Sequence, residues 1–208
     1  MTNISVFSSS LDSLIHLYNE ERIVRELSLR DKLTYEEYNG LVRDQFIAGR
    51  ILLNNVLLTE GIKSTIKEIE YLPTGKILIN GLSFNISHSG NFACIAYCKE
   101  DIELGVDMEV FDRADQEVES LYNLNPGLFN VYNSKKENLI NWTIAESIVK
   151  CGNFGLDEIE LIRKIEPNIY SVDNELFRLE SWIFDEFVIS CSVNITSLVS
   201  SELYFDLK

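Results

Sequence analysis

The chain has 208 residues, 46% hydrophobic and 25% charged, a composition typical of a globular protein large enough to bury a core. No apolar run reaches the roughly 20 residues that span a bilayer, and Met1–Ser10 lacks the basic start and long apolar core of a signal peptide. Eighteen basic and thirty-three acidic residues give a net charge of −15, which repels nucleic acid and anionic membranes. We therefore expect a cytoplasmic monomer that binds neither nucleic acid nor membranes.

Helical spacing dominates the first sixty residues. Apolar residues recur at helical intervals over 11–27, and a charged helix or an irregular connection follows over 28–38. A stronger apolar stripe predicts a helix over Leu41–Leu58, and Gly61 stands where a glycine commonly ends a helix.

The period then changes to that of strands. Alternation predicts a strand over 66–71, Pro73, Thr74 and Gly75 predict a turn, and further strands are expected over 77–79, 82–86, 92–97 and 104–110. The polar stretch Ser87–Gly90, which contains one of the two histidines, predicts a turn between two of these strands.

The second half repeats this order of elements. The predicted elements are a helix over 137–151 that Gly152 and Gly155 end, a strand over 159–165, a turn at 167–168, and strands over 176–182 and 186–193. The repeated order favours an α+β fold of two similar lobes, 1–103 and 104–208, related by pseudo-two-fold symmetry. We expect a ligand cleft between the lobes.

The four cysteines form no CxxC pair; they are Cys94, Cys98, Cys151 and Cys191. Cys94 and Cys98 share a face of a predicted strand, where small apolar groups face the core. In a reducing compartment we expect buried thiols rather than disulfides or a metal cluster.

Two acids end the strand predicted over 104–110. Asp107 and Glu109 stand two residues apart and so point to the same face, while Val106 and Met108 point to the other. One interpretation is an edge strand with solvated acids. The other is a pair of carboxylates that holds a metal ion.

A second set of polar residues lies on one face of the helix predicted over 137–151. Trp142, Glu146 and Lys150 fall at intervals of four. They could be an aromatic residue and a surface ion pair worth about 0.2–0.5 kcal/mol. Alternatively, Glu146 is a third carboxylate and Lys150 a cation one turn on, a set that suits Mg²⁺ bound to phosphate.

Three motifs in this order resemble the signatures of the 4′-phosphopantetheinyl transferase superfamily. They are FNISHSG at Phe84–Gly90, GVDME at Gly105–Glu109 and WTIAESIVK at Trp142–Lys150. Their spacing is similar to that of the two-lobe, pseudo-symmetric type, which modifies carrier proteins of peptide and polyketide synthases. Each motif alone is weak, but three in order are specific.

Two further stretches extend the resemblance to roughly residues 27–156. Arg43–Leu53 is similar to the first helix of that family, and Thr74–Lys76 resembles its short Gly-Lys turn, although Ile77 stands where a proline usually follows. The resemblance implies that Gly75 and Lys76 approach the adenine of coenzyme A through their backbone.

The resemblance implies a Mg²⁺-dependent transfer of the phosphopantetheine arm of coenzyme A to a serine of an acyl or peptidyl carrier protein, with release of adenosine 3′,5′-bisphosphate. It implies that Asp107, Glu109 and Glu146 hold Mg²⁺ on the pyrophosphate and that Lys150 contacts a phosphate. Glu146 is also the best candidate to take the serine proton. Whether Glu146 is a base, a metal ligand or both stays open.

The same resemblance implies that Ser87 and His88 bind a phosphate of coenzyme A, although a lone histidine is commonly structural. Arg43 and Arg50 lie seven residues apart, on one helix face, and could meet the 3′-phosphate. The alternative for both arginines is a salt bridge to the acidic protein itself.

At two positions the chain departs from the family pattern, and each departure removes a positively charged side chain. Ala145 stands where the family usually has lysine before the helix glutamate, and Phe154 replaces a common lysine of the following turn. They motivate an alternative function, a non-catalytic homologue that binds coenzyme A or a carrier as a regulator or scaffold. The charge of −15 also fits awkwardly with an acidic carrier, so we expect a local apolar or basic docking patch.

Overall fold

The structure, a computed structural model, describes residues 2–113, 123–130, 132–196, 198 and 202–208 and has a mixed α+β fold with several sheets. The described helices are α1 (Leu11–Leu17), α2 (Glu20–Glu26), α3 (Leu29–Glu37), α4 (Gly40–Thr59) and α5 (Lys135–Gly152), with short 3₁₀ helices at Ile66–Glu68, Phe111–Arg113 and Leu156–Leu161. Within this part of the chain, no helix has both the length and the apolar character needed to cross a membrane.

Eleven strands are described in the same residues. They are β1 (Thr2–Ser10), β2 (Glu70–Tyr71), β3 (Ile77–Leu78), β4 (Ser83–Ser89), β5 (Phe92–Cys98), β6 (Leu104–Val110), β7 (Arg163–Glu166), β8 (Ile169–Val172), β9 (Glu175–Ile183), β10 (Phe187–Asn194) and β11 (Leu203–Leu207). They form a four-stranded sheet in the order β11-β1-β5-β4, a five-stranded sheet in the order β6-β10-β9-β8-β7, and the hairpin β2-β3.

Each large sheet is covered by helices on one face and by the other sheet on its opposite face. Helix α4 packs on the first sheet, where Ile51 and Leu53 meet Ile95 of β5 in one core cluster. Helix α5 packs on the second sheet through residues such as Ile148. A third cluster lies between the sheets and includes Val106 of β6, as the alternation along each strand requires.

The predicted lobe boundary between residues 103 and 104 separates the strands of the first large sheet from those of the second, with one exception. β11, from the C-terminal segment, pairs in parallel with β1, and Leu203 aligns with Thr2. Strand β11 therefore completes the first sheet, and neither β1 nor β11 was predicted from the sequence.

Two predicted strands begin as 3₁₀ helices. In 66–71, only Glu70–Tyr71 is a strand, because Thr65 and Glu68 form a capping box that winds Ile66–Glu68 into a helical turn. In 159–165, the strand starts at Arg163, after a 3₁₀ helix that buries Ile159. In both places the buried isoleucines belong to a helical turn, and the prediction of a strand there was wrong.

The helical spacing over 11–27 is carried by two helices, because Tyr18 caps α1 and the side chain of Asn19 accepts a hydrogen bond from Arg22 N at the start of α2. One further prediction needs correction. The predicted polar turn at Ser87–Gly90 is strand β4 as far as Ser89.

The cysteine prediction is confirmed for all four residues, which are buried free thiols. Burial raises the pKa of Cys94 to about 12, and it raises the pKa of Cys151 to about 12 as well. Thiols with raised pKa values are poor nucleophiles and poor metal ligands at neutral pH, so these groups act as small apolar side chains.

Candidate functional site

The first layer of the candidate site joins the edge strands β4 and β6. β6 has a sheet neighbour only in β10, so alternate N–H groups of β6 point away from that neighbour towards β4. Polar side chains at every second position of β4 accept these hydrogens. The bonds run from Val106 N to Asn85 Oδ1 (3.0 Å), from Met108 N to Ser87 Oγ (3.3 Å) and from Val110 N to Ser89 Oγ (3.2 Å).

The same two serines orient the paired acids. Ser87 Oγ donates to Asp107 Oδ1 at 2.8 Å, and Ser89 Oγ donates to Glu109 Oε2 at 2.5 Å. Each hydroxyl thus accepts from the backbone of β6 and donates to an adjacent carboxylate. Asp107 is only 2% exposed, so the alternative of a solvated acid does not apply to it.

Helix α5 brings the other two charged residues to Asp107. Lys150 Nζ lies 2.5 Å from Asp107 Oδ1, 3.2 Å from Glu146 Oε2 and 3.3 Å from Ser87 Oγ. Because both carboxylates contact the same nitrogen, their contacting oxygens lie within about 6 Å of each other. Residues from all three sequence motifs therefore meet at one point.

The approach of α5 to β6 depends on a glycine. A Cβ atom at Gly105 would lie 2.5 Å from the backbone nitrogen of Cys151 and closer still to the carbonyl oxygen of Ser147. Only a residue without a side chain allows the helix to lie this close to the strand. Gly105 belongs to the GVDME motif, but no structural role was predicted for it from the sequence.

The charges in this cluster do not balance. Burial and the negative charge of Asp107 raise the pKa of Glu146, while Lys150 acts in the opposite direction. Burial acts to lower the pKa of Lys150, but the attraction of Asp107 and Glu146 outweighs it and the pKa is raised. Lys150 therefore stays charged, and its single positive charge faces the two carboxylates of Asp107 and Glu146, which it cannot neutralise together when both are ionised.

A divalent cation would compensate the negative charge of these carboxylates. Among the described residues, Asp107 Oδ2 is buried and has no hydrogen-bond partner, which is costly unless a cation or proton meets it. Carboxylate oxygens are the ligands that Mg²⁺ prefers. In the arrangement described, Lys150 contacts Asp107 and Glu146, and no three His, Cys, Asp or Glu side chains of the described ranges converge as a ready metal site.

Two neighbouring cavities differ in charge. A cavity of about 450 Å³ is lined by Thr74, Lys76, Asn85, Val149, Lys150, Asn153, Phe154 and Gly155. A larger one, of about 1060 Å³, shares Lys76 and Asn153 with it but is lined by five acids, Glu68, Glu70, Glu100, Asp101 and Glu103. The smaller cavity has two lysines and no acid among its described lining residues, which distinguishes it from the acidic larger cavity, while Lys150 also contacts Asp107 and Glu146.

The two arginines of α4 lie in a different environment. Arg50 is buried and donates to both carboxylate oxygens of Asp31 at 3.0 Å and to the hydroxyl of Tyr71 at 2.9 Å. Its guanidinium is thus held in an internal ion pair, the alternative that the sequence left open. Arg43 is half-buried, with its guanidinium 5.5 Å from the ring centre of Tyr35.

The remaining predicted residues are spread around the cluster. His88 is exposed on β4, on the face opposite Ser87. Gly75 lies in the exposed turn between β2 and β3, and its backbone nitrogen donates to Leu72 O at 2.9 Å. Ala145 is fully buried in the core under α5, so a lysine at this position would have to enter apolar packing.

Sequence reasoning missed the structural roles of Asn85 and Ser89. The signal that could have revealed them is the polar spacing Asn85, Ser87, Ser89, which has the period of a strand. Comparison of the chain with protein-family models finds no match, and comparison with curated proteins finds none either. The resemblance to the transferase superfamily therefore rests on the motif residues themselves.

Proposed function

We propose that the chain is a Mg²⁺-dependent 4′-phosphopantetheinyl transferase that acts on an acyl or peptidyl carrier protein with coenzyme A as co-substrate. One observation carries the proposal. Lys150 of the third motif contacts Asp107 of the second motif and Ser87 of the first, beside a cavity lined by Lys76 and Lys150. Such a convergence is not expected of an exposed edge strand and a surface ion pair.

The reaction assigns a task to each group. The carrier serine hydroxyl attacks the phosphorus nearer the pantetheine, the bond from that phosphorus to the bridging oxygen breaks, and adenosine 3′,5′-bisphosphate leaves. Glu146, whose raised pKa moves it towards that of a general base at neutral pH, takes the serine proton. Lys76 and Lys150 both line the cavity and offer ammonium groups to the phosphates.

Asp107, Glu109 and Glu146 would hold Mg²⁺, which supplies charge stabilisation on the pyrophosphate when bound. The unpartnered Oδ2 of Asp107 supports this ligand set. Ser87 then acts as an orienting residue for Asp107 rather than as a phosphate ligand, because its hydroxyl hydrogen is already donated to that carboxylate.

The order of elements supports the proposed pair of similar lobes. α4, a 3₁₀ helix and the strands β2 to β5 are followed later by α5, a 3₁₀ helix and the strands β7 to β10. The sheets contain matching runs, β1-β5-β4 in the first and β6-β10-β9 in the second. We assign lobes to 1–103 and 104–208, with β11 returning to the first.

The test is a transfer assay with coenzyme A, Mg²⁺ and several apo carrier proteins, read by mass spectrometry. We expect the carrier to gain the mass of one phosphopantetheine, and we expect no gain without Mg²⁺. Asp107→Asn should abolish transfer, whereas Asp185→Asn, at an exposed aspartate in the turn between β9 and β10, should not. No mass gain with any carrier would contradict the proposal.

A second candidate function is a non-catalytic protein that binds coenzyme A or a carrier. The buried Ala145 and the aromatic Phe154 favour it, since both stand where the resemblance has lysines. Calorimetry separates the two functions. Tight binding of coenzyme A without transfer to any carrier would favour this candidate.

A further inference from the structure

Phe154 is an aromatic residue in the wall of the cavity that holds Lys76 and Lys150. It is half-buried, and its backbone nitrogen donates to Val149 O at 3.0 Å, just past the end of α5. Phe154 thus follows Lys150 by four residues and lies beyond the last residue of the helix, Gly152. Neither the catalytic cluster nor the proposed reaction uses it.

The ring of Phe154 is held in place from two sides. It lies against the backbone of Gly152, where a Cβ atom would approach its Cδ2 to 2.7 Å. It also meets the fully buried Phe177 in an edge-to-face contact, with ring centres 5.9 Å apart and planes at 76°. A ring fixed in this way is preorganised, so a ligand that stacks on it loses little affinity to ordering.

The chemistry of the cavity wall selects the ligand. Two ammonium groups attract phosphates, and a fixed aromatic side chain in the wall offers a stacking partner to a flat ring. A volume of about 450 Å³ is within the range of small-molecule sites. A molecule that joins phosphates to a purine base satisfies both parts of this wall.

We propose that Phe154 is the residue on which the adenine base of coenzyme A stacks, so that an aromatic contact replaces a lysine as the recognition element at this position. The proposal rests on the proposed function, because coenzyme A is the nucleotide which that reaction requires. Phe154 is then a residue that determines cofactor specificity, not a catalytic one.

Calorimetric binding of two ligands tests the contact. Coenzyme A carries the base, and 4′-phosphopantetheine carries the same arm without it. Phe154→Leu removes the aromatic face and keeps apolar packing on Phe177, so coenzyme A should bind about tenfold more weakly while 4′-phosphopantetheine binds within about twofold of wild type. Phe154→Tyr should restore the affinity for coenzyme A.

Phe184→Leu is the matched control, because Phe184 is a half-buried aromatic residue that packs on Phe187 away from the cavity. It should bind both ligands as wild type does. If Phe154→Leu fails to fold, Phe154→Trp provides a second measurement. Its added fluorescence should be quenched by coenzyme A and not by 4′-phosphopantetheine.

Three results would overturn the inference. If Phe154→Leu binds coenzyme A with unchanged affinity, the adenine base does not stack on Phe154, and the proposed function is unaffected. Equal weakening of both ligands would show that the substitution disturbs the whole cavity. Absence of coenzyme A binding to the wild-type protein would contradict the proposed function together with the inference.

Discussion

Gly105 lies where α5 crosses β6, and its replacement by alanine tests whether this crossing holds the site together. A Cβ atom there would lie 2.5 Å from Cys151 N and closer to Ser147 O, whereas ordinary contact begins near 3.4 Å. The helix would have to retreat by at least about 0.9 Å. Both obstructing atoms belong to the backbone of α5, so no side chain can rotate to relieve the overlap.

The expected loss of stability is large. Overpacking in a core costs about 1–3 kcal/mol, and a backbone obstruction places Gly105→Ala at the upper end. For a chain of this size, about 3 kcal/mol lowers the melting temperature by roughly 6–12 °C. The same retreat would lengthen the contact of 2.5 Å between Lys150 and Asp107 to about 3.4 Å and so weaken it, and phosphopantetheine transfer should fall as well.

Thermal unfolding followed by circular dichroism measures the effect. Gly49→Ala is the matched control, because Gly49 of α4 also faces a strand but its Cβ would meet the side chain of Ile86 at 3.2 Å. That side chain can shift, and alanine gains up to about 1 kcal/mol of helix propensity, so little net change is expected. A Gly105→Ala protein that melts within about 2 °C of wild type would refute the reasoning.

Two further predictions concern buried charges. Asp31→Ala should destabilise the protein by about 3–5 kcal/mol in urea unfolding because it leaves the buried Arg50 without its partner, and Asp31→Leu with Arg50→Met should recover most of that loss. A cost below about 1 kcal/mol for the single change would contradict the assigned ion pair. Glu146→Gln tests the raised pKa of Glu146, which burial and the charge of Asp107 cause. The folded state then holds the Glu146 proton more tightly than the unfolded state, so wild type loses stability relative to Glu146→Gln as the pH rises above about 4.5. A difference in unfolding free energy that is constant with pH, or that changes in the opposite sense, would contradict the raised pKa.

Local periodicity was sufficient for the long, strongly patterned elements. The helices predicted over Leu41–Leu58 and 137–151 correspond to α4 and α5, and the strands predicted over 92–97 and 104–110 correspond to β5 and β6. In each, the apolar face seen in the sequence is the face that packs. These elements could be predicted because their pattern depends only on near neighbours along the chain.

Elements with distant partners could not be predicted in the same way. Ser87–Ser89 looked like a turn because it is polar, yet its hydroxyl groups are satisfied by β6, about twenty residues further along the chain. Arg50 had two possible roles in the sequence, and its partner Asp31 lies on another helix. Terminal strands such as β1 become strands through pairing, since β1 lies between β11 and β5.

By itself, the sequence determined which chemical groups the site contains and which of them share a face. Asp107 and Glu109 share a strand face, and Glu146 and Lys150 share a helix face, because backbone geometry repeats locally. Only the tertiary structure decided that these faces meet. The contact between Lys150 and Asp107 spans 43 residues and depends on how closely α5 can approach β6 at Gly105, a packing distance that no local pattern encodes.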